Sequence, residues 1–166
     1  MPILRSGEIV DNPWVLLKRD TEPAAGTALV VPSDIWRADR DRYLKWHGPL
    51  GIRLDPADDV AAIAHDLGRF ELIEIDLPSY KDGRGYSTAR ILREHLGYTG
   101  ELRAVGDILR DQFLFLDRCG FDTLEMDEDQ VSGWRSALSE ISISYQPATD
   151  ARTPVLERRH HREAAE

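Results

Sequence analysis

Between Asp76 and Arg90 the chain gathers residue types that bind anions. Lys81 and Arg84 supply positive charge, and Arg90 follows one turn into a predicted helix. Gly83 and Gly85 allow a tight turn or a close backbone approach to a ligand. Ser87 is a residue type that caps helices, and the free N–H groups of a helix start favour an anion. This is the longest strand-to-helix loop in the β-rich part of the chain, and long loops in small domains often carry function. The chemistry it points to is an oxyanion site for sulfate, sulfite or phosphate. A second set follows at Val105–Gln112. There Asp107, Arg110 and Asp111 crowd one helical turn, and Gln112 adds an amide. Turned toward the first loop, Arg110 and Gln112 would complete a basic, hydrogen-bonding pocket with Arg84. Asp82 and Asp107 are the candidate acid or base groups there.

Plainer readings stand beside these. Asp107 at a helix start is a capping residue type. Arg90 and Glu94 have the spacing of a surface ion pair. Gly83-x-Gly85 lacks the third glycine of a dinucleotide fingerprint, and no Walker A string is present. Cys119 sits at a helix end beside Phe115 and Leu116, as a small buried residue would. His65 and His95 have no ligand partners at metal-binding spacing. The acidic run Glu125, Asp127, Glu128, Asp129 reads as a solvated loop.

The elements that position these residues are visible as a rhythm. Ile3–Arg5 and Glu8–Val10 flank Ser6-Gly7 as a short N-terminal β-hairpin. Thr21–Gly26 is a loop. Six β-rich runs then begin near Ala28, Leu50, Leu72, Leu102, Thr123 and Ile141, at intervals of 22, 22, 30, 21 and 18 residues. That is a strand, a helix and tight links, repeated, which predicts an α/β fold with a mainly parallel sheet. Either an open sheet or a curved partial barrel satisfies it. Ser33, Asp55 and Asp107 are the expected caps of helices over 34–46, 56–68 and 108–119, and Gly97 and Gly120 are expected helix ends. A weaker helical pattern covers 127–138. Residues 1–147 read as one domain, with a polar, charged tail over 148–166.

Composition bounds the function. The 166 residues carry 21 basic and 30 acidic side chains, for a net charge of −9. The tail cancels to zero and Lys81–Arg118 sits at +1, so the rest of the body holds about −10. Such a body does not favour nucleic acid, which needs a basic face. The chain is too short for a complete (β/α)₈ barrel of roughly 250 residues. No apolar run reaches the ~18 residues of a membrane span. The opening residues have no secretory pattern, and the single cysteine excludes an internal disulfide, so a cytoplasmic location is expected.

At the candidate loops the sequence resembles a known family. Tyr80-Lys81-Asp82-Gly83-Arg84-Gly85-Tyr86-Ser87, Leu92-Arg93, Leu102–Gln112 and Arg118-Cys119-Gly120-Phe121-Asp122 are similar to the bacterial domain-of-unknown-function 934 family. So are Val10-Asp11-Asn12-Pro13-Trp14 and Tyr145-Gln146-Pro147. The resemblance runs over roughly residues 1–147. Members are usually labelled probable oxidoreductases of sulfite reduction, because their genes lie beside those of assimilatory sulfite reductase. The resemblance implies a role in sulfur assimilation and cysteine supply, and it brings no established catalytic residues with it. Reducing sulfite takes six electrons and needs haem, iron–sulfur or flavin. One cysteine and no nucleotide string leave the cofactor unassigned. The expectation is therefore an accessory protein that binds sulfite reductase or its electron donor, with an oxyanion as a further ligand. The alternatives are a small enzyme acting on an anionic sulfur or phosphate compound, and a flavin-binding redox subunit.

Overall fold

A computed structural model describes residues 2–19 and 21–127. The expected hairpin is present: β1 (Ile3–Arg5) pairs antiparallel with β2 (Glu8–Val10). Ser6 and Gly7 turn the chain with φ of 50° and 85°, the sense of turn that matches strand twist in two-residue hairpin loops. Then come β3 (Val15–Leu16), β4 (Leu29–Pro32), β5 (Leu50–Leu54), β6 (Leu72–Leu77), β7 (Glu101–Gly106) and β8 (Thr123–Glu125). Strands β4 to β8 are the first five expected runs. The sixth run at Ile141, most of the 127–138 pattern and the tail lie outside the described residues.

Among the described residues, eight strands form one sheet in the order β2-β1-β8-β7-β6-β5-β4-β3. From β3 to β8 each strand pairs in parallel with the next in sequence, and only β1 is antiparallel to its neighbours, β2 and β8. The two edge strands, β2 and β3, are joined by only Asp11–Trp14. Five Cα steps reach at most ~19 Å, whereas seven strand spacings laid flat span roughly 34 Å. The sheet must curl to let the linker close that gap. The fold is thus a mixed α/β half-barrel, the curved member of the two expected architectures.

Strand alternation sorts the side chains into two layers. Leu29, Val31, Leu50, Ile52, Leu54, Ile73, Ile75, Leu77, Leu102, Ala104 and Leu124 pack with the helical residues Trp36, Ala89, Leu92, Phe113 and Leu116 in one buried cluster. The intervening strand residues, among them Arg53, Glu74, Asp76 and Arg103, point the other way, into the concave face.

The helical segments differ from expectation at their starts. The 34–46 stretch is two short helices, α1 (Ser33–Ala38) and α2 (Arg40–Leu44), broken at Asp39. Ser33 lies inside α1 and caps nothing, while Asp34 accepts the Ile35 N–H at 2.8 Å. Asp55 does not cap either. Its own N–H is taken by Asp58, and a 3₁₀ helix runs over Val60–Arg69 with Asp59 accepting the Ala61 N–H. Helix α3 (Arg84–Arg90) begins before Ser87, so Ser87 is in its interior, and the Arg84 N–H is accepted by Asp82. A single π-type segment, Ile91–His95, carries α3 to its end. Asp107 is replaced as a cap by Gln112, whose Oε1 reaches back to the Leu109 N–H at 2.8 Å ahead of a short 3₁₀ turn and α4 (Phe113–Arg118). In each case an acidic or amide side chain a few residues away had the better geometry for the same orphan N–H groups. Helix α4 ends as expected at Gly120: Gly120 N–H bonds Asp117 and Phe121 N–H bonds Leu116, the paired bonds of a Schellman motif.

Candidate functional site

Ligands of parallel α/β folds bind beyond the carboxyl ends of the strands. Here that end is formed by Pro32, Leu54, Leu77, Gly106 and Glu125. The β6–α3 and β7–α4 segments emerge there side by side. Asp107 N–H bonds Leu77 O at 2.9 Å, and Gln112 Nε2 donates to the Tyr86 hydroxyl at 2.6 Å. The Tyr86 ring in turn rests on Phe115, with centroids 4.9 Å apart. The two loops singled out from sequence therefore do meet, through Gln112 and Tyr86.

Arg84, Asp82 and Arg90 are already engaged in ion pairs. Arg84 grips Asp82 through Nε at 2.9 Å and Nη2 at 2.6 Å, with Arg84 exposed and Asp82 partly so. That guanidinium holds the Asp82 carboxyl down at about 2. Arg90 bonds Glu94 across one helical turn at 3.0 and 3.1 Å. It lies six residues beyond Arg84, about 9 Å further along the axis. Lys81 is exposed, its Nζ 5.5 Å from the Tyr80 ring centroid. Ser87, Asp107 and Arg110 are exposed. Gly83 has an ordinary φ of −79° and open space at its Cβ position. Gly85 is different: a Cβ there would overlap the Leu77 side chain and lie 3.2 Å from Ile75. Its lack of a side chain lets α3 sit directly on β6. Cys119 is buried at the end of α4, and burial pushes its thiol up from the ordinary range. Among the described residues, no group of three or more His, Cys, Asp or Glu is placed to hold a metal ion. No described helix is long and apolar enough to cross a membrane.

A second polar assembly lies on the concave face, and sequence reasoning passed it over. Pairing register sets Arg53, Glu74, Arg103, Thr123 and Arg5 side by side across β5, β6, β7, β8 and β1. Arg53 Nε bonds Glu74 at 2.7 Å, and Arg103 Nη1 reaches the other Glu74 oxygen at 3.4 Å. Arg103 Nη2 bonds Glu101 at 2.8 Å, and Glu101 also takes the Thr123 hydroxyl at 2.7 Å and Arg5 at 2.5 Å. Asn12, on the edge-to-edge linker, accepts from Arg103 Nη1 at 3.0 Å. Arg103 and Glu74 are only 2% and 4% exposed, so the middle of the row is closed to solvent, while Arg53 and Arg5 at its sides are partly open. Its visible signal was a charge at alternate positions of otherwise apolar parallel strands, which normally read as unbroken apolar runs.

Above that row, at the carboxyl end of β6, stands Asp76. It is half-buried, and burial raises its carboxyl above the usual range, with Asp55 adding to the rise and Arg53 opposing it. The Gly106 backbone lies against it: a Cβ on Gly106 would be 2.8 Å from Asp76 Oδ1. Arg53 is part-exposed beside it, 4.0 Å from Glu125. Asp76, Arg53 and Glu125, all partly exposed, mark the rim of the concave face.

A family model described as "Bacterial protein of unknown function (DUF934)" matches residues 51–156, more than half of the chain. The chain belongs to this family. In this DUF934 protein the matched stretch starts inside β5 and takes in both candidate loops and the central part of the charged row. One residue of the matched stretch has a clear structural role. Arg93 donates to the Tyr98, Gly100 and Gly120 carbonyls at 2.6, 2.9 and 3.0 Å and to Asp122 at 2.5 Å, so it ties α3 to the chain around β7 and β8. No curated protein matches the chain, and no solved structure does.

Proposed function

We propose that this DUF934 protein is an accessory protein of assimilatory sulfite reduction, working by docking to the reductase or its electron donor through the β6–α3 and β7–α4 segments. The observation that carries the docking is the exposed aromatic and aliphatic surface there. Of six exposed large apolar residues among those described, four (Tyr80, Ile91, Leu109, Phe115) fall on these two segments. Phe115 is 54% exposed, although Phe113 and Leu116 on the same helix are fully buried. It is held in place by Tyr86, which Gln112 fixes in turn. Rigid aromatics with a charged rim are the usual anchors of protein interfaces. The link to sulfite reduction is supported by the resemblance of these same loops. An oxyanion is part of the proposal, but it would have to displace Asp82 from Arg84, or Glu94 from Arg90.

The test is a pull-down of the purified reductase, and separately of its electron donor, on the immobilised protein at low and moderate salt. One of the two is expected to be retained, less so as salt rises, because the body carries strong net charge. Phe115→Asp is expected to abolish retention without loss of fold. Absence of retention of both at low salt defeats the proposal, and retention by Phe115→Asp moves the contact elsewhere.

A second reading, a small enzyme for an anionic sulfur or phosphate compound, is favoured by Asp76 beside Arg53 at the strand ends. It requires Asp76→Asn to remove turnover while leaving anion binding intact.

A further inference from the structure

Beyond the carboxyl ends of β4 and β5 lies a cavity of about 150 Å³, between α1 and the 3₁₀ helix. It belongs to neither candidate loop. Trp36, Leu54 and Ile63, all buried, give it apolar walls. Ala62 stands at its exposed mouth.

One side is polar. Ser33, 5% exposed, receives only a long 3.5 Å contact from Arg37 Nη2. No described residue accepts its hydroxyl hydrogen. Arg37 Nη1 meets Asp58 Oδ1 at 2.9 Å, and Asp58 Oδ2 takes the Asp55 N–H at 2.7 Å. Arg40, at the edge, is forked onto Asp66 at 2.5 and 2.7 Å.

These partners narrow the ligand. The volume suits a single ring, since an engineered apolar cavity of roughly this size takes up benzene. The edge of the buried Trp36 indole that meets the cavity, beside Leu54 and Ile63, favours an apolar body. The polar wall is close to balanced: Arg37 and Arg40 already face carboxylates, and the other lining carboxylate, Asp59, is exposed to solvent and takes the Ala61 N–H. A carboxylate ligand would meet Asp58, and an ammonium would meet Arg37. A neutral group avoids both. It should offer an acceptor to the Ser33 hydroxyl and a donor to the Asp58 carboxylate, whose oxygens retain lone pairs. An amide edge offers both side by side.

We propose that this cavity binds a small uncharged ring bearing an amide edge, an aromatic carboxamide or a lactam, with the ring against Trp36 and the amide between Ser33 and Asp58. The site is independent of the docking surface.

Benzamide and 2-pyridone are the probes, with benzoate and benzylamine as charged controls of matching size. Each is titrated into the full chain by saturation-transfer NMR and calorimetry. At least one amide is expected to bind saturably, with the charged controls about tenfold weaker or more. Ala62→Leu narrows the mouth from an exposed position and is expected to weaken amide binding at least about tenfold, with circular dichroism and thermal midpoint unchanged. Ser33→Ala is the second variant, should the first disturb the fold. It is expected to weaken the amides more than it weakens toluene. The proposal falls if neither amide binds by about 10 mM, if both variants bind as the parent does, or if the charged controls bind equally well.

Discussion

Asn12 and Arg103 are 91 positions apart in sequence, yet Asn12 Oδ1 accepts from Arg103 Nη1 at 3.0 Å. That bond joins the linker between the two sheet edges to the middle of the concave face. It works as a strut across the opening of the half-barrel. Asn12→Ala removes the acceptor and leaves one donor of an almost fully buried guanidinium unpaired. The expected cost is about 1–3 kcal/mol in urea unfolding. Hydrogen exchange should speed up at β3 and in the hairpin first. A loss confined to β7 would show that the strut has no role in holding the edges.

The charged row behaves as one unit. When one of Arg103 and Glu74 is removed, Glu74 keeps Arg53 at 2.7 Å or Arg103 keeps Glu101 at 2.8 Å, so Glu74→Ala or Arg103→Ala should each destabilise by about 1–3 kcal/mol, the cost of a buried group losing one partner. The double variant Arg103→Met with Glu74→Leu should cost less than the sum of the singles, because the contact that the two share is lost only once. Calorimetric unfolding of the two singles and the double decides it. Additive losses would mean that the two side chains do not act together.

Asp76 gives stability a defined pH dependence. Its carboxyl is raised by burial, so the folded state holds its proton more tightly than the unfolded chain does. The protonated form therefore stabilises the fold below the ordinary aspartate range near 3.9, and this contribution is lost as pH rises through the raised value. Asp76→Asn should be more stable than the parent at neutral pH, and the two should converge in acid. Thermal midpoints measured across pH 3–8 check this. A variant less stable at pH 7 would mean that the carboxylate is held by a favourable contact.

Two glycines in one loop should respond in opposite ways. Gly83 has an ordinary φ and room for a methyl group, so Gly83→Ala should be neutral or stabilise by about 0.4–1 kcal/mol through the unfolded state. Gly85→Ala presses against Leu77 and Ile75, and should cost about 1–3 kcal/mol. Equal effects in denaturant unfolding would argue against a packing role for Gly85.

Gln112 serves the Leu109 N–H through one end of its amide and Tyr86 through the other. Tyr86→Phe keeps the cap but removes the hydroxyl that Gln112 Nε2 reaches. It should therefore preserve the start of α4 while loosening the ring contact with Phe115, seen as faster Phe115 ring flips by NMR. An unchanged ring would place the restraint on Phe115 elsewhere.

Much of the architecture was legible in the residues. Ser6-Gly7 between two short β-rich runs can make little other than a hairpin. Evenly spaced strands and helices with short links demand parallel neighbours, because the chain has no length for other connections. The closing of Gly120 on α4 followed from local backbone chemistry. Cap choice was less legible: Asp55, Asp59, Asp82 and Gln112 are all able to bond an orphan N–H, and only the packed backbone decides which one reaches it. Curvature, too, was decided in three dimensions, by a linker of Asp11–Trp14 too short to span a flat sheet once the hairpin had paired with β8. The loops around Lys81–Ser87 and Asp107–Gln112 were recognisable by residue type. Yet charge alone did not reveal that Arg84 and Arg90 face carboxylates of their own segments. The row of Arg53, Glu74 and Arg103 could not be assembled from sequence at all. Each residue sits on a different strand, and strand register, set by sheet pairing across long separations, is what brings the three charges together.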